Sequence, residues 1–87
     1  MRELTVTIKT KTGLHARPAA LLVNTVSKGK SKVTIEKNGK EANLKSLLGL
    51  LSLGVEENDT VTIKVDGKDE DEIIAALSQC AKENELW

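Results

Sequence analysis

Apolar and polar residues alternate in some stretches of this chain and recur with a helical period in others. In "ELTVTIKT", Leu4, Val6 and Ile8 fall on one side of an extended chain, the period-two pattern of a half-buried strand. The alternation returns at Val33 and Ile35, and again at Val61, Ile63 and Val65. Asn38-Gly39 follows the second of these stretches. That pair supplies the positive φ angles of a two-residue hairpin turn, so a return strand over residues 40–44 is predicted.

The helical period begins at His15. "HARPAALLVNTVSKGK" puts Ala19, Leu22, Val23 and Val26 on one stripe that should face a core. Pro18 falls in the first turn, where its missing N–H had no helical partner to lose. Gly29 is predicted to stop this helix, with Lys28 in its last turn. "KSLLGLLSLGV" reads as a short Leu-rich helix with Ser46 as N-cap and Gly54 closing it. "KDEDEIIAALSQCAKENELW" reads as a final helix. Its acids from Asp69 to Glu72 crowd the N-terminus, where the helix dipole favours them. Ile73, Leu77 and Cys80, with Ile74 and Ala81, form its predicted buried stripe.

The predicted order is β-α-β-β-α-β-α, and short strands cannot bury themselves. The fold class is therefore α+β: an open-faced sandwich in which three helices cover one face of a four-stranded antiparallel sheet. The outward strand positions Thr5, Thr7, Lys9, Lys32, Thr34, Glu36, Thr60, Thr62 and Lys64 are polar, so the other face should meet water. Residues 1–87 are expected to form one domain.

Composition narrows the chemistry. The formal net charge is zero, yet residues 1–40 hold nine Lys/Arg and two Asp/Glu, while residues 41–87 hold four Lys and eleven Asp/Glu. Cys80 is the only cysteine and reads as a small core filler in a reducing, cytoplasmic compartment. No apolar run suits a secretory leader or a membrane span, so no membrane insertion is expected. One His and one distant Cys are too few soft ligands for a structural zinc site. Neither a P-loop nor a dinucleotide fingerprint occurs, and no cofactor is expected. The chain has no Phe, no Tyr and one Trp, which argues against direct nucleic-acid binding by base stacking.

The remaining chemistry gathers in "GLHARPAA", residues 13–20, which holds the only His and the only Pro. His15 falls at or near a helix N-cap. The first amides of a helix lack partners and sit at the positive end of its dipole, a ready anion site. A phosphoryl group on the imidazole would meet the amides of Ala16 and Arg17. The Arg17 guanidinium could add a charge-assisted fork, Pro18 presets the first turn, and Gly13 permits an unusual backbone before it. On local grounds a capping or surface role for His15 stands beside this nucleophilic one. Ser46, on the same grounds, is an ordinary N-cap.

"GLHARPAA" resembles the active-site signature of the histidine-containing phosphocarrier (HPr) family of the bacterial phosphoenolpyruvate:sugar phosphotransferase system. "NLKSLLGLLSLGV" resembles the regulatory-serine region of the same family, and the element order fits its fold. The resemblance implies that His15 takes a phosphoryl group on Nδ1 from phosphorylated enzyme I and passes it to a cysteine or histidine of a sugar-specific enzyme IIA. The chain would then be a carrier with a covalent phosphohistidine rather than a free-standing enzyme. Arg17 matches the family's active-site arginine, and Thr12 matches a position near the site. Ser46 matches the serine phosphorylated by HPr kinase/phosphorylase. That phosphorylated form serves the family as corepressor of a LacI-type catabolite control protein and is a poorer substrate for enzyme I. A branch of the family without the histidine is purely regulatory; His15 argues against it.

A docking surface is also expected. With the apolar stripe inward, Ala16, Ala20 and Asn24 lie outward at i, i+4, i+8. Leu47, Leu48 and Leu51 cannot all be buried in so short a helix. An exposed apolar patch is expected around Leu47, rimmed by Arg17, Lys45 and Asn24, of the kind that marks docking sites. Position 48 is Leu where many family members have Met. The protein is expected to be a monomer.

Overall fold

The computed structural model describes all 87 residues. The chain runs β1 (Arg2–Thr7), α1 (Ala16–Val26), β2 (Lys32–Lys37), β3 (Lys40–Asn43), α2 (Leu47–Leu53), β4 (Thr60–Asp66) and α3 (Glu70–Asn84). The four strands form one sheet in the order β1-β4-β2-β3, every neighbour antiparallel. Both the predicted element order and the antiparallel sheet are therefore present.

Register aligns the apolar positions across the sheet. Leu4 faces Ile63, Ile63 faces Ile35 and Ile35 faces Ala42, one row spanning all four strands. Val6 faces Val61, and Val65 faces Val33. A one-residue slip in any strand would turn its apolar set to water, so this register is strongly specified. The helices close over that face: Ala19, Leu22, Val23 and Val26 from α1, Leu50 from α2, and Ile73, Leu77 and Ala81 from α3 are buried with the strand residues in a core of 18 side chains. Removing a Leu or Ile of this size from water stabilises the fold by roughly 1.5–3 kcal/mol. On the opposite face, the hydroxyls of Thr5 and Thr62 and those of Thr7 and Thr60 pair across β1 and β4 at 3.1 Å.

The turns follow their residue chemistry. Asn38 and Gly39 both have positive φ, 52° and 81°, and join β2 to β3. Gly54 caps α2 in the left-handed region at φ 70°, its N–H bonding the Leu51 carbonyl.

Three local expectations change. α1 ends at Val26, before Lys28 and Gly29, and no basic residue occupies its last turn. The following segment is drawn away by Asp69, whose carboxylate accepts the N–H groups of Lys30 at 2.8 Å and Ser31 at 2.9 Å and the Ser31 hydroxyl. Gly29 lies beyond the helix end, against α3: a Cβ there would sit 2.6 Å from Ile73 Cδ1 and displace that side chain. Cys80 and Ile74 are only half-buried at the margin of the core, while Leu86 is fully buried. Glu85 at φ 54° turns the chain back so that Leu86 bonds the Ala81 carbonyl and accepts from Lys9 N–H, both at 2.9 Å.

Candidate functional site

Residues 10–15 are held against the loop that follows α2. Gly13 N–H bonds the Thr10 carbonyl and Leu14 N–H bonds Val55 O, both at 3.0 Å. Gly13 adopts φ +65°, and a Cβ there would lie 2.8 Å from Glu56 Cα as well as against Val55 O. Only glycine meets both conditions without strain. Gly13 and Leu14 are buried, and the chain then emerges so that His15 is exposed.

His15 is the N-cap of α1, with extended backbone at φ −85°, ψ −162° and no capping bond from its own side chain. Its carbonyl accepts the first helical bond, from Ala19 N–H at 2.9 Å. Pro18 has no N–H, so the free donors of this end are the amides of Ala16 and Arg17, neither of which finds a carbonyl acceptor. Ala16 and Arg17 are exposed, and the Arg17 guanidinium forms no ion pair within the chain. An anion reaching the imidazole would thus meet two free amides and the helix dipole. Thr12 is exposed in the preceding loop and Pro18 is half-buried in the first turn.

One neighbour of His15 was not expected. Glu56 brings Oε2 to 3.3 Å from His15 Nε2, and both side chains remain largely exposed at 62% and 57%. Its loop is firmly tied. Glu56 N–H donates to Asp59 Oδ2 at 2.8 Å, and the Lys37 ammonium reaches the same oxygen at 2.8 Å. That ammonium also donates to Gly54 O at 2.6 Å. The Lys37 ammonium, and then the Glu56 amide, hold the Asp59 carboxyl below its ordinary value of 3.8. Asn58 N–H and Ile8 N–H complete the junction, bonding Ile8 O and Asp59 O at 2.8 and 2.9 Å. Nothing in the spacing of the chain announces a contact between residues 41 positions apart.

Ser46 caps α2. Its Oγ accepts from Gly49 N–H at 3.1 Å, and its carbonyl accepts from Leu50 N–H at 3.0 Å. In α2 Leu50 is buried, whereas Leu47, Leu48 and Leu51 are exposed at 40%, 81% and 37%. Three leucines of this helix are thus exposed, and Leu48 rather than Leu47 is the most exposed of them. On α1, Asn24 is exposed and Ala20 half-buried. Lys45 is more constrained than a rim residue needs to be: its ammonium donates to Gly29 O at 2.7 Å, tying the start of α2 to the end of α1.

The larger of two surface clefts, about 610 Å³, lies elsewhere, lined by Lys9, Thr10, Lys11, Lys82, Asn84, Glu85 and Trp87. No three His, Cys, Asp or Glu side chains gather where they could hold a metal ion, and no helix is long and apolar enough to cross a membrane.

The chain as a whole is similar to known proteins. Residues 2–83 match a family model described as "PTS HPr component phosphorylation site". The phosphocarrier protein HPr of Mycoplasma genitalium is 42% identical over 87 residues, 99% of each chain. A histidine-containing phosphocarrier protein from Mycoplasma superposes with a TM-score of 0.94 at 36% identity, covering 98% of this chain and 97% of that one. HPr of Thermoanaerobacter tengcongensis, 48% identical, has been solved as HPr-C-His, with a TM-score of 0.90 covering 95% and 93% of the two chains. It has also been solved as a dimer, with a TM-score of 0.75 covering 97% of each.

Proposed function

The chain belongs to the HPr family of phosphotransferase-system phosphocarriers, and from that premise we propose that it relays a phosphoryl group through His15. The observation that carries this reading is the exposed imidazole at the N-cap of α1, beside the free amides of Ala16 and Arg17. Enzyme I, charged by phosphoenolpyruvate, supplies the group. The Nδ1 lone pair of His15 attacks phosphorus, and the N–P bond forms as the bond to the donor breaks. The helix end and the Arg17 guanidinium offset the charge of the phosphoryl oxygens. Thr12 and Pro18 support the loop and first turn, and a sugar-specific enzyme IIA takes the group onward. The protein works as a monomer in the cytoplasm.

Both partners dock on the exposed apolar patch of Leu47, Leu48 and Leu51 together with Ala20, Asn24 and Lys45. Small side chains at Ala16 and Ala20 let a partner come close to α1. A second, regulatory layer acts at Ser46, the substrate of HPr kinase/phosphorylase. The Ser46 cap geometry supports it, because added phosphate oxygens would lie at a helix start whose amides donate, as the Gly49 N–H already does to Ser46 Oγ. The phosphorylated form engages a LacI-type catabolite control protein, and its added charge, within a Debye length of the patch, weakens docking of enzyme I.

Incubation with enzyme I and phosphoenolpyruvate should add the mass of one phosphoryl group to the wild-type protein and none to His15→Ala. Equal labelling of the variant would overturn the assignment.

A further inference from the structure

We propose that Glu56 is a positioning residue that selects the tautomer of His15, holding the proton on Nε2 and leaving the lone pair on Nδ1. The inference rests on the reading of His15 as phosphoryl acceptor and adds to it the group that aims the acceptor atom. An ionised carboxylate can only accept hydrogen bonds. Its Oε2 lies 3.3 Å from Nε2, so Nε2 must be the nitrogen that carries hydrogen. A neutral imidazole has one N–H and one lone pair, and the lone pair is therefore on Nδ1.

The carboxylate also suits the product. When the Nδ1 lone pair forms the N–P bond, the bonding pair between phosphorus and the donor leaves with the donor. No proton has to leave the ring. The imidazole then carries substituents on both nitrogens and a formal positive charge, and Glu56 faces the edge of the ring opposite the new bond. No other carboxylate comes within ion-pairing distance of His15.

Glu56 can do this because its backbone is placed independently of its side chain. Asp59 and Lys37 fix it from one side. On the other, Gly13 packs on its Cα, and the Leu14 amide holds the adjoining Val55 carbonyl. One junction thus sets the position of both the loop that carries the imidazole and the residue that orients it.

His15 is the only histidine, so its ring nitrogens can be read without assignment in a long-range ¹H–¹⁵N correlation spectrum of ¹⁵N-labelled protein. At about pH 8.5, well above the ordinary histidine value, the wild type should show the Nε2–H form. Glu56→Ala should move the tautomer ratio toward Nδ1–H by about two- to fivefold, the range that exposed pairs support. Glu56→Gln retains an acceptor oxygen without the charge and should stay closer to wild type. The initial rate of phosphorylation by enzyme I follows the fraction of the ring in the Nε2–H form, so in Glu56→Ala it should fall by less than the ratio does, by under about twofold when the wild type is mostly Nε2–H. A wild-type ring in the Nδ1–H form, or an unchanged ratio in Glu56→Ala with a native amide spectrum, would overturn the proposal. Failure of the wild type to be phosphorylated would instead remove the carrier reading, while the tautomer measurement on the unphosphorylated protein would still decide the role of Glu56.

Discussion

Asp69 collects three donors from the segment that follows α1: the Ser31 hydroxyl and the amides of Lys30 and Ser31. The Ser31 hydroxyl, followed by the Lys30 amide, holds its carboxyl below the ordinary 3.8. Because the folded value is the lower one, the stabilisation is complete above the unfolded value and is lost as the pH falls through the folded one. Asp59, held down by Lys37, acts in the same direction. Urea titrations at neutral pH and near pH 3 should therefore show a marked loss of stability in acid. Asp69→Ala should lower the midpoint at neutral pH and flatten that acid dependence. An unchanged acid dependence would mean that the Asp69 contacts do not form in solution. His15 and Glu56 are a looser pair, exposed on both sides.

At the scale of elements, α2 depends on its ends more than on its length. Seven residues are too few to be stable as an isolated helix. Ser46 at one end, Gly54 at the other and buried Leu50 between them hold it in place. Ser46→Ala should cost about 1 kcal/mol by loss of the cap, while Ser46→Asp, an equally good cap, should cost far less. Chemical denaturation of the two variants compares them directly. This helix was legible in the sequence because every signal in it is local: the cap, the leucine period and the closing glycine. The Asn38-Gly39 turn and the buried stripe of α1 were legible for the same reason, and so was His15 at a helix start. The end of α1 was not, because the residue that draws the chain away stands 39 positions further on. Glu56 was hidden similarly: an acid in a loop carries no periodic signal, and only the docking of two loops gives it a partner. Solvent exposure singled out Leu48 in α2, a distinction that the run of leucines does not make.

For the whole molecule, strand order decides where stability concentrates. β4 lies between β1 and β2, and β2 between β4 and β3, whereas β1 and β3 are edges. On the outer face, Glu36 and Glu41 sit opposite each other, and Lys64 of β4 reaches both at 3.3 and 3.9 Å. Such exposed ion pairs are screened by water and contribute little, so the inner apolar rows carry the sheet. Amide hydrogen exchange followed by NMR should be slowest in β4 and β2 and faster in the four-residue β3. Protection in β3 equal to that in β4 would contradict this ordering.

The place of β1 has a consequence for synthesis on the ribosome. Thr7 pairs with Thr60, 53 residues later in the chain. At roughly 5–20 residues per second, the first strand waits about 3–10 s before its partner has been made. For that interval it has no neighbour in the nascent chain to pair with. Its six residues and the Thr and Glu side chains along one face make it a poor template for other strands. The polar alternation that ends as an open, watered sheet face also makes the newly made strand a poor partner for other strands while it waits.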